Sequence, residues 1–283
     1  MAAVGLVIQH FVITRFNLRT AYSGTDRHGK PVLGPSWMHE RIELFERYCL
    51  PSMVHQVNQN FTWLVLLDEA TDPESAARVE RHQADFPAMR TLRLPPIQDD
   101  REIGECVTAL VDDRTELLLT TRLDNDDAFH ERATETIQAS ARKKREFLNF
   151  RVGWTQDGTT AWVRFHKYSH FITLAEPRTQ EPFLTVHNGL AHGRSKRLAP
   201  VRQISREPFW LETVHGRNVT NRPPDEPRSY DRRTLRGIQR WFRHEVVRRA
   251  RMQFRPRWYR EPHPLADVAA PFHIRPALPK EAS

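Results

Sequence analysis

The 283-residue sequence predicts an α/β fold in which helices flank a mostly parallel sheet. The first observation is that apolar, strand-like runs alternate with helical patterns over about the first 140 residues. The second is a change of pattern after that point, where paired strand-like runs surround a turn signal and predict a smaller antiparallel β region. A hydrophobic content of 39% with 28% charged residues agrees with a folded globular protein.

Four apolar and β-branched runs in the first half predict buried strands. Their expected ranges are 4–14, 61–67, 90–94 and 116–121. Helical spacing of apolar residues predicts helices between and after these strands, with expected ranges of 37–50, 73–86, 99–111 and 131–145. The first of these helices is expected to end at Pro51, which lacks a backbone N–H.

The second half predicts paired strands followed by loops. The strands are expected at 147–154 and 161–174, joined through the turn signal Asp157-Gly158. Prolines then punctuate the chain and predict loops, with a short helix at 208–215. The Pro/Ala-rich tail from residue 261 onward is expected to be irregular.

Positive charge is concentrated in one segment near the C-terminus. The chain has a net charge of +8, and residues 228–260 contain twelve arginines against Asp231 and Glu245, so the rest of the chain is slightly acidic. Apolar residues recur there at helical spacing and predict a basic amphipathic helix. The helix could pack on the main domain or lie on an anionic membrane surface, whereas the lack of a nucleic-acid-binding motif disfavours nucleic acid.

The two cysteines and the N-terminus bear on the cellular setting. Cys49 and Cys106 lack the CxxC spacing of a structural zinc site and do not suggest a disulfide framework. The first residues lack a basic leader, and no run approaches the roughly 18 apolar residues of a membrane-spanning helix. We therefore expect a cytoplasmic protein, with the basic segment as the candidate for peripheral contact at the inner face of the plasma membrane.

Three polar clusters follow predicted strands, at residues 14–17, 68–69 and 124–127. In open parallel sheets, ligands bind at the carboxyl ends of strands near a topological switch point. The three clusters are therefore expected to meet at one edge of the sheet and to form a binding site.

The third cluster, Asp124-Asn125-Asp126-Asp127, places three carboxylates within four positions. Like charges at this spacing raise one another's pKa unless a cation compensates them. Carboxylate oxygens favour Mg²⁺ or Mn²⁺, and a calcium-binding loop is excluded because Phe129 stands where that loop requires glycine. The alternative is an acidic turn that caps a helix beginning near Ala128.

The ordered motifs TRFN, LLDE, RLDNDD and HGRNVTN resemble a known family. RLDNDD is similar to the DxD motif of glycosyltransferases with the GT-A (Rossmann-like) fold. The set as a whole resembles the rhamnosyltransferase-like family of bacterial polysaccharide enzymes, over about residues 5 to 222. The resemblance implies a nucleotide-sugar donor, a Mn²⁺ or Mg²⁺ ion on its diphosphate, and transfer of the sugar to a glycan or lipid-linked acceptor.

The resemblance also suggests a division of the chain. Residues 1–222 would form the GT-A domain, with a nucleotide-sugar-binding half at 1–130 and an antiparallel β acceptor half at 131–222. Residues 223–283 would form a basic helical C-terminal extension.

The resemblance assigns roles residue by residue around the donor. Asp126 would ligate the ion, with Asp127 as an alternative or second ligand, and His215 would complete the site. Asp124 would contact the ribose or a metal-bound water. The remaining expected contacts to the nucleotide sugar come from Thr14, Arg15, Asp68, Arg122 and Asn218.

The catalytic base is less clearly indicated. An inverting reaction needs a carboxylate to take the acceptor's proton, and Glu207 and Glu212 are the candidates. A retaining enzyme would not need this base, so the stereochemistry stays open. The other late histidines show no metal-binding spacing and are interpreted as structural, although His187 or His192 could face the acceptor.

A different class of function uses the same features. The acidic cluster and the arginine-rich helix together are also compatible with a nucleic-acid-binding protein or a metal-dependent nuclease. Binding to DNA or RNA that weakens with salt and depends on residues 228–260 would distinguish this alternative from a glycosyltransferase.

Overall fold

The computed structural model describes residues 6–20, 34–180, 182–190, 192–215 and 261–274. The sequence predictions for Asn218 and for the basic segment at 228–260 lie outside these residues. Within the described ranges, no helix combines the length and apolar character needed to cross a bilayer.

The described residues form a ten-stranded mixed sheet. Its strands are β1 Ile8–Arg15, β2 Thr62–Asp68, β3 Met89–Leu94, β4 Leu117–Arg122, β5 Ala128–Phe129, β6 Glu146–Asp157, β7 Thr160–Phe165, β8 Ile172–Pro177, β9 Val201–Thr213 and β10 His263–Pro264. The helices are α1 Pro35–Leu44, α2 Leu50–Val54, α3 Pro73–Glu80, α4 His82–Asp85, α5 Arg101–Thr108, α6 Ala133–Ser140 and α7 Leu265–Ala269. Short 3₁₀ turns occur at Arg178–Gln180, His192–Arg197 and Ala270–Phe272.

The strand order confirms the predicted α/β class. Strands β3, β2, β1 and β4 are adjacent and parallel, whereas β8 pairs antiparallel with both β4 and β6, and β7 continues the antiparallel part. Chain order reverses between β1 and β4, because β2 and β3 lie on one side of β1 and β4 lies on the other. This is the topological switch point at which α/β sheets bind ligands.

Alternation along β1 divides its side chains between two hydrophobic cores. Val12 belongs to the core under α1, α2, α3 and α6, and Thr14 points to the same side. Phe11 and Ile13 belong to the core under α5, and Arg15 follows them on that side. The two faces of the sheet are therefore covered by different helices, and adjacent residues at a strand end reach different surroundings.

The predicted end of the first helix at Pro51 is wrong. Helical structure continues to Val54, because a π-type turn at Phe45–Cys49 precedes the proline and Pro51 then occupies the first turn of α2. A wider turn accommodates a residue that cannot donate its backbone hydrogen bond. The helix therefore persists past Pro51.

The predicted helix at 208–215 is also wrong, since β9 extends through Thr213. This strand pairs parallel with β6 and antiparallel with β5, so tertiary pairing overrides the local helical pattern. Pro208 lies where the register between β9 and β6 shifts, a position that tolerates a missing N–H. As a result, Glu207 and Glu212 are strand residues.

Part of the tail that was expected to be irregular is ordered. Residues 261–274 contribute β10 to the sheet edge beside β7, followed by α7. Leu265 and Phe272 are buried in a third hydrophobic core together with Leu211 of β9 and Ala161 of β7. The division at residue 223 stays a prediction, but residues 261–274 pack against the main sheet.

A buried chain of hydrogen bonds crosses the sheet at His10. The His10 Nε2 atom lies 2.8 Å from Thr121 Oγ1, which in turn lies 2.7 Å from Thr173 Oγ1. Gln138 Nε2 lies 3.3 Å from the other ring nitrogen. Burial lowers the pKa of His10 to about 3, so the imidazole stays neutral in the folded protein at neutral pH.

We expect the burial of His10 to make the wild type more acid-sensitive than His10→Gln. In the unfolded chain His10 binds a proton below about pH 6.5, whereas in the folded protein it does so only below about pH 3. The folded state therefore loses stability as the pH falls below about 6.5. Between about pH 7.5 and about pH 5.5 the wild type should lose about 1.4 kcal/mol relative to the variant. Urea unfolding at both pH values measures this difference, and equal losses in the two proteins would contradict it.

Candidate functional site

The acidic turn leaves β4 at the switch point. Asn125 Nδ2 donates a hydrogen bond to the carbonyl oxygen of Phe16 at 2.9 Å and so ties the turn to the segment that follows β1. The Asp127 N–H donates to the Asp124 carbonyl at 3.2 Å, which closes the turn. The clusters at 14–17 and 124–127 therefore meet, and Asp126 and Asp127 are buried at their junction. The cluster at 68–69 adjoins the first of these, because the Asp68 N–H donates to Asn17 Oδ1 at 3.1 Å.

Asp126 is held by groups from outside the turn. It forms an ion pair with Arg41 of α1, and His215 Nε2 lies 2.9 Å from Asp126 Oδ2. The Arg41 guanidinium also lies over the Trp37 ring, 5.1 Å from its centroid. Burial alone raises the pKa of Asp126, but Arg41 and His215 outweigh it and keep the pKa below its ordinary value. Asp126 is therefore already compensated by a cation.

Among the described residues, Asp127 pairs with a histidine and not with an arginine or a lysine. Its Oδ1 accepts a hydrogen bond from the Thr213 N–H at 2.8 Å, and its Oδ2 lies 3.3 Å from His170 Nε2. Burial and the nearby Asp126 carboxylate raise the pKa of Asp127 well above its ordinary value. Burial lowers the pKa of His170, but the hydrogen bond to Asp127 and its charge outweigh this and raise it.

Asp124, Asp127 and His170 form a group of possible metal ligands. One ligand atom from each residue lies within 4.8 Å of the others. Arg122 contacts Asp124 at 3.1 Å. Burial raises the pKa of Asp124, but Arg122, His170 and Arg15 hold it well below the ordinary value, so Asp124 is a carboxylate. Two carboxylates and one imidazole are a ligand set that Mn²⁺ accepts.

The two candidate bases lie in different surroundings. Glu212 is buried, accepts a hydrogen bond from Thr155 Oγ1 at 2.8 Å, and lies 4.0 Å from His170 Nε2. Glu207 is exposed and lies close enough to His130 to influence its pKa. Strand β9 therefore brings Glu212 to the acidic cluster and leaves Glu207 at the surface beside His130.

Two positively charged side chains lie on the α5 side of Asp124. Arg15 Nη1 donates to Asp100 Oδ1 at 3.0 Å, and Arg122 contacts Asp124. Burial and the positive charge of Arg122 lower the pKa of Arg15 despite its contact with Asp100. His192 borders the same region, since its ring centroid lies 5.9 Å from that of His170. Burial and the charges of His170 and Arg122 lower the pKa of His192 to about 4.

Thr14 and Asp68, for which ligand contacts are expected from the sequence, both contact other groups of the protein. Thr14 is fully buried and accepts a hydrogen bond from Trp63 Nε1 at 2.9 Å, because its side chain points into the core. The Asp68 carboxylate accepts two hydrogen bonds from the Arg19 guanidinium, at 2.7 and 2.9 Å, and another from the Ala70 N–H. In this structure both side chains are occupied by the protein's own groups.

His170 is the main residue that the sequence interpretation missed. Strand β8 pairs antiparallel with β4, so that Thr121 lies opposite Thr173. Counting three residues forward from Thr121 and three residues back from Thr173 continues this register beyond the strands and puts His170 opposite Asp124. Neither a sequence spacing nor a motif indicates this pairing, because it depends on two strands that are distant in the chain.

The chain is similar in sequence to one protein family and, at low identity, to solved structures. A family model described as "Putative rhamnosyl transferase" matches residues 9–227, which confirms the resemblance seen in the sequence motifs. A search of curated proteins finds no match. Among solved structures, a 4-diphosphocytidyl-2C-methyl-D-erythritol synthase from Anaerococcus prevotii DSM 20548 is 13% identical, with a TM-score of 0.34, over 85% of this chain and 96% of that chain.

We expect Arg41→Met to destabilise the protein by about 3 kcal/mol or more, because it leaves the buried Asp126 carboxylate without its cation. Asp126→Asn in the same protein should recover much of this loss, giving a coupling energy of about 2 kcal/mol in a double-mutant cycle measured by urea unfolding. The exposed pair Arg101 and Asp99 provides the matched control, and its coupling should be close to zero. Additive effects at Arg41 and Asp126 would show that their ion pair does not stabilise the fold.

Proposed function

This chain belongs to the rhamnosyl transferase family, and on that premise we propose that it is a metal-dependent glycosyltransferase. It would move a sugar from a nucleotide-sugar donor to a glycan or lipid-linked acceptor. Family membership supports the glycosyltransferase class, and the proposal adds the metal and the residues that act on the donor and the acceptor.

The observation that carries the proposal is the cluster of Asp124, Asp127 and His170 at the switch point. Their ligand atoms lie within 4.8 Å of one another, and the raised pKa of Asp127 reflects a buried carboxylate without enough positive charge around it. Hard oxygen donors with one imidazole fit Mn²⁺, and Mg²⁺ is the alternative. When bound there, the ion would stabilise the negative charge of the departing nucleotide diphosphate.

The sequence suggested a different set of ligands, namely Asp126, Asp127 and His215. In the structure, Asp126 and His215 contact each other and Arg41. The short distances among the ligand atoms of Asp124, Asp127 and His170 favour these three residues as the ligands, with Asp126 acting to fix the position of the turn. Because Asp126 already has a cation, it gains less from a bound metal than Asp127 does.

Arg122 and Arg15 are proposed to bind the diphosphate. Both guanidinium groups lie beside Asp124, and a guanidinium matches the oxygens of a phosphate with paired N–H donors. A bound diphosphate would share these cations with Asp100 and Asp124, the carboxylates that they contact in the structure.

Glu212 is the base that the geometry favours for an inverting reaction. It is buried, and Thr155 and the neighbouring β9 backbone fix its position beside His170. Its carboxylate could take the proton from an acceptor hydroxyl bound on the side of the donor sugar that faces β9. Glu207 stays the alternative from the sequence. The nucleic-acid hypothesis depends on residues 228–260, outside the described structure, and no observation at the site favours it.

We expect a nucleotide-sugar donor to raise the melting temperature only when Mn²⁺ or Mg²⁺ is present. A ligand at about 100 times its Kd adds about 2.7 kcal/mol of stability, which a thermal-shift screen detects readily. The screen would use UDP-, GDP-, dTDP- and CMP-sugars, each with and without Mn²⁺. Asp127→Asn and His170→Gln should abolish the metal-dependent shift, because the first removes the negative charge of a ligand and the second removes the imidazole nitrogen.

The control for this experiment is Asp113→Asn, which removes a carboxylate of the same type from an exposed position. It should keep the full shift. A shift that persists without metal, or that survives in Asp127→Asn and His170→Gln, would contradict the metal site. If none of the nucleotide sugars gives a shift with the wild type, the glycosyltransferase proposal fails.

Glu212→Gln and Glu207→Gln separate the two candidate bases. If Glu212 takes the acceptor's proton, Glu212→Gln should lower kcat by about 10² to 10⁴ while donor binding in the thermal-shift assay is retained. Glu207→Gln should then keep the wild-type kcat. Steady-state transfer assays measure both rates, and the reverse result would assign the role to Glu207.

A further inference from the structure

His187 is a buried histidine beside the site that has no role so far. Its side chain is 3% exposed, and Nε2 has no hydrogen-bond partner among the described residues. Most buried polar atoms in folded proteins have a partner, because burying one alone costs free energy. An unpaired Nε2 next to a binding site is therefore a group that a ligand could satisfy.

The backbone before His187 is fixed by three hydrogen bonds. The N–H groups of Leu184 and Thr185 donate to the Glu176 carboxylate at 2.9 and 2.8 Å, and the Val186 N–H donates to Thr120 Oγ1 at 2.8 Å. Because of these contacts, the loop approaches β4 at the position of Thr120, near the carboxyl end of the strand.

The position of Thr120 places His187 on the arginine side of the sheet. Thr120 and Arg122 point to the same face of β4, because side chains alternate along a strand. The loop also packs closely on α5, since a Cβ at Gly104 would lie 3.2 Å from the His187 carbonyl oxygen. Asp100, just before α5, holds Arg15. Strand β4 and α5 therefore bring His187, Arg122 and Arg15 to the same side of Asp124.

The charges near His187 favour an anion. Burial and the positive charges of Arg15 and Arg122 lower the pKa of His187 well below its ordinary value, so the imidazole is neutral. The neutral imidazole can donate one hydrogen bond from Nε2. Two cations and one neutral donor therefore lie on the same face of the sheet, where Asp124 supplies the opposing charge.

We propose that His187 Nε2 donates a hydrogen bond to a phosphate group that Arg15 and Arg122 bind through their charges. The phosphate would belong to the nucleotide-sugar donor, and this part of the inference rests on the proposed function. The three donors together would distinguish a phosphorylated ligand from a neutral sugar.

The test measures inorganic pyrophosphate binding in the presence of Mg²⁺ by isothermal titration calorimetry. His187→Leu and His187→Phe should bind pyrophosphate about ten-fold more weakly than the wild type, because neither side chain can donate the hydrogen bond to the charged group. His10→Gln is the matched control: His10 is also a buried imidazole with a lowered pKa, but its ring nitrogens bond to Thr121 and Gln138. It should keep the wild-type affinity.

A spectroscopic readout separates binding from a purely structural effect. In protein with ¹⁵N-labelled histidine, the His187 Nε2 resonance should shift when pyrophosphate is added, and the assignment follows from its absence in His187→Leu. If His187→Phe fails to show a cooperative melting transition, His187→Leu and the resonance shift decide the question. A shift confined to other histidines would overturn the proposal.

The inference and the proposed function can fail separately. Pyrophosphate affinity within about two-fold of the wild type in the His187 variants, or no binding to the wild type, would overturn the role of His187. If pyrophosphate binding depends on His187 but no nucleotide sugar shifts the melting temperature, the anion site stands and the glycosyltransferase proposal fails. If nucleotide sugars bind equally well to the wild type and the variants, only the role of His187 is lost.

Discussion

Repulsion among Asp124, Asp126 and Asp127 is the constraint on which the site depends. The protein separates the three carboxylates by giving each a different partner: Arg122 contacts Asp124, Arg41 holds Asp126, and His170 faces Asp127. These partners come from β4, α1 and the segment just before β8, so three parts of the chain that are distant in sequence meet at the turn. The compensation is uneven, and Asp127 is left with a raised pKa. This imbalance is the physical reason to expect an external cation at one end of the turn.

The position of His170 and Glu212 depends in turn on aromatic packing. Trp210 of β9 stacks on Phe171, with ring centroids 4.9 Å apart, and each is adjacent or nearly adjacent in sequence to one of the two polar residues. Gly153 of β6 makes room for the indole, since a Cβ there would lie 2.0 Å from Trp210 Cδ2. Gly153, which has no functional group of its own, thereby helps to determine where the imidazole of His170 and the carboxylate of Glu212 meet. Function at this site extends into the packing beneath it.

The parts of the structure that were predictable from the sequence are those with local signals. Apolar runs indicate the first four strands, and RLDNDD marks the end of the strand at which the site lies. Local patterns do not say which of Thr14 and Arg15 faces the ligand, because β1 is buried on both faces and shows no polar alternation. His170 and Arg41 reach the turn through contacts between distant segments, and β9 forms because β5 and β6 offer it partners. These features follow from tertiary structure, which single-sequence periodicity does not encode.

The antiparallel register between β4 and β8 limits where residues can be inserted or deleted. Deleting one residue between Ile172 and Pro177 would reverse the alternation of β8 relative to β4 or displace His170 from Asp124. The turn at Gly158 is exposed, with a φ of +82°, and lies between β6 and β7, away from this register. Insertions there would lengthen the chain without moving either partner. The turn at Gly158 is thus a suitable place for a peptide tag or a fused domain. The number of residues in β8, by contrast, is fixed because His170, just before this strand, must lie beside Asp124.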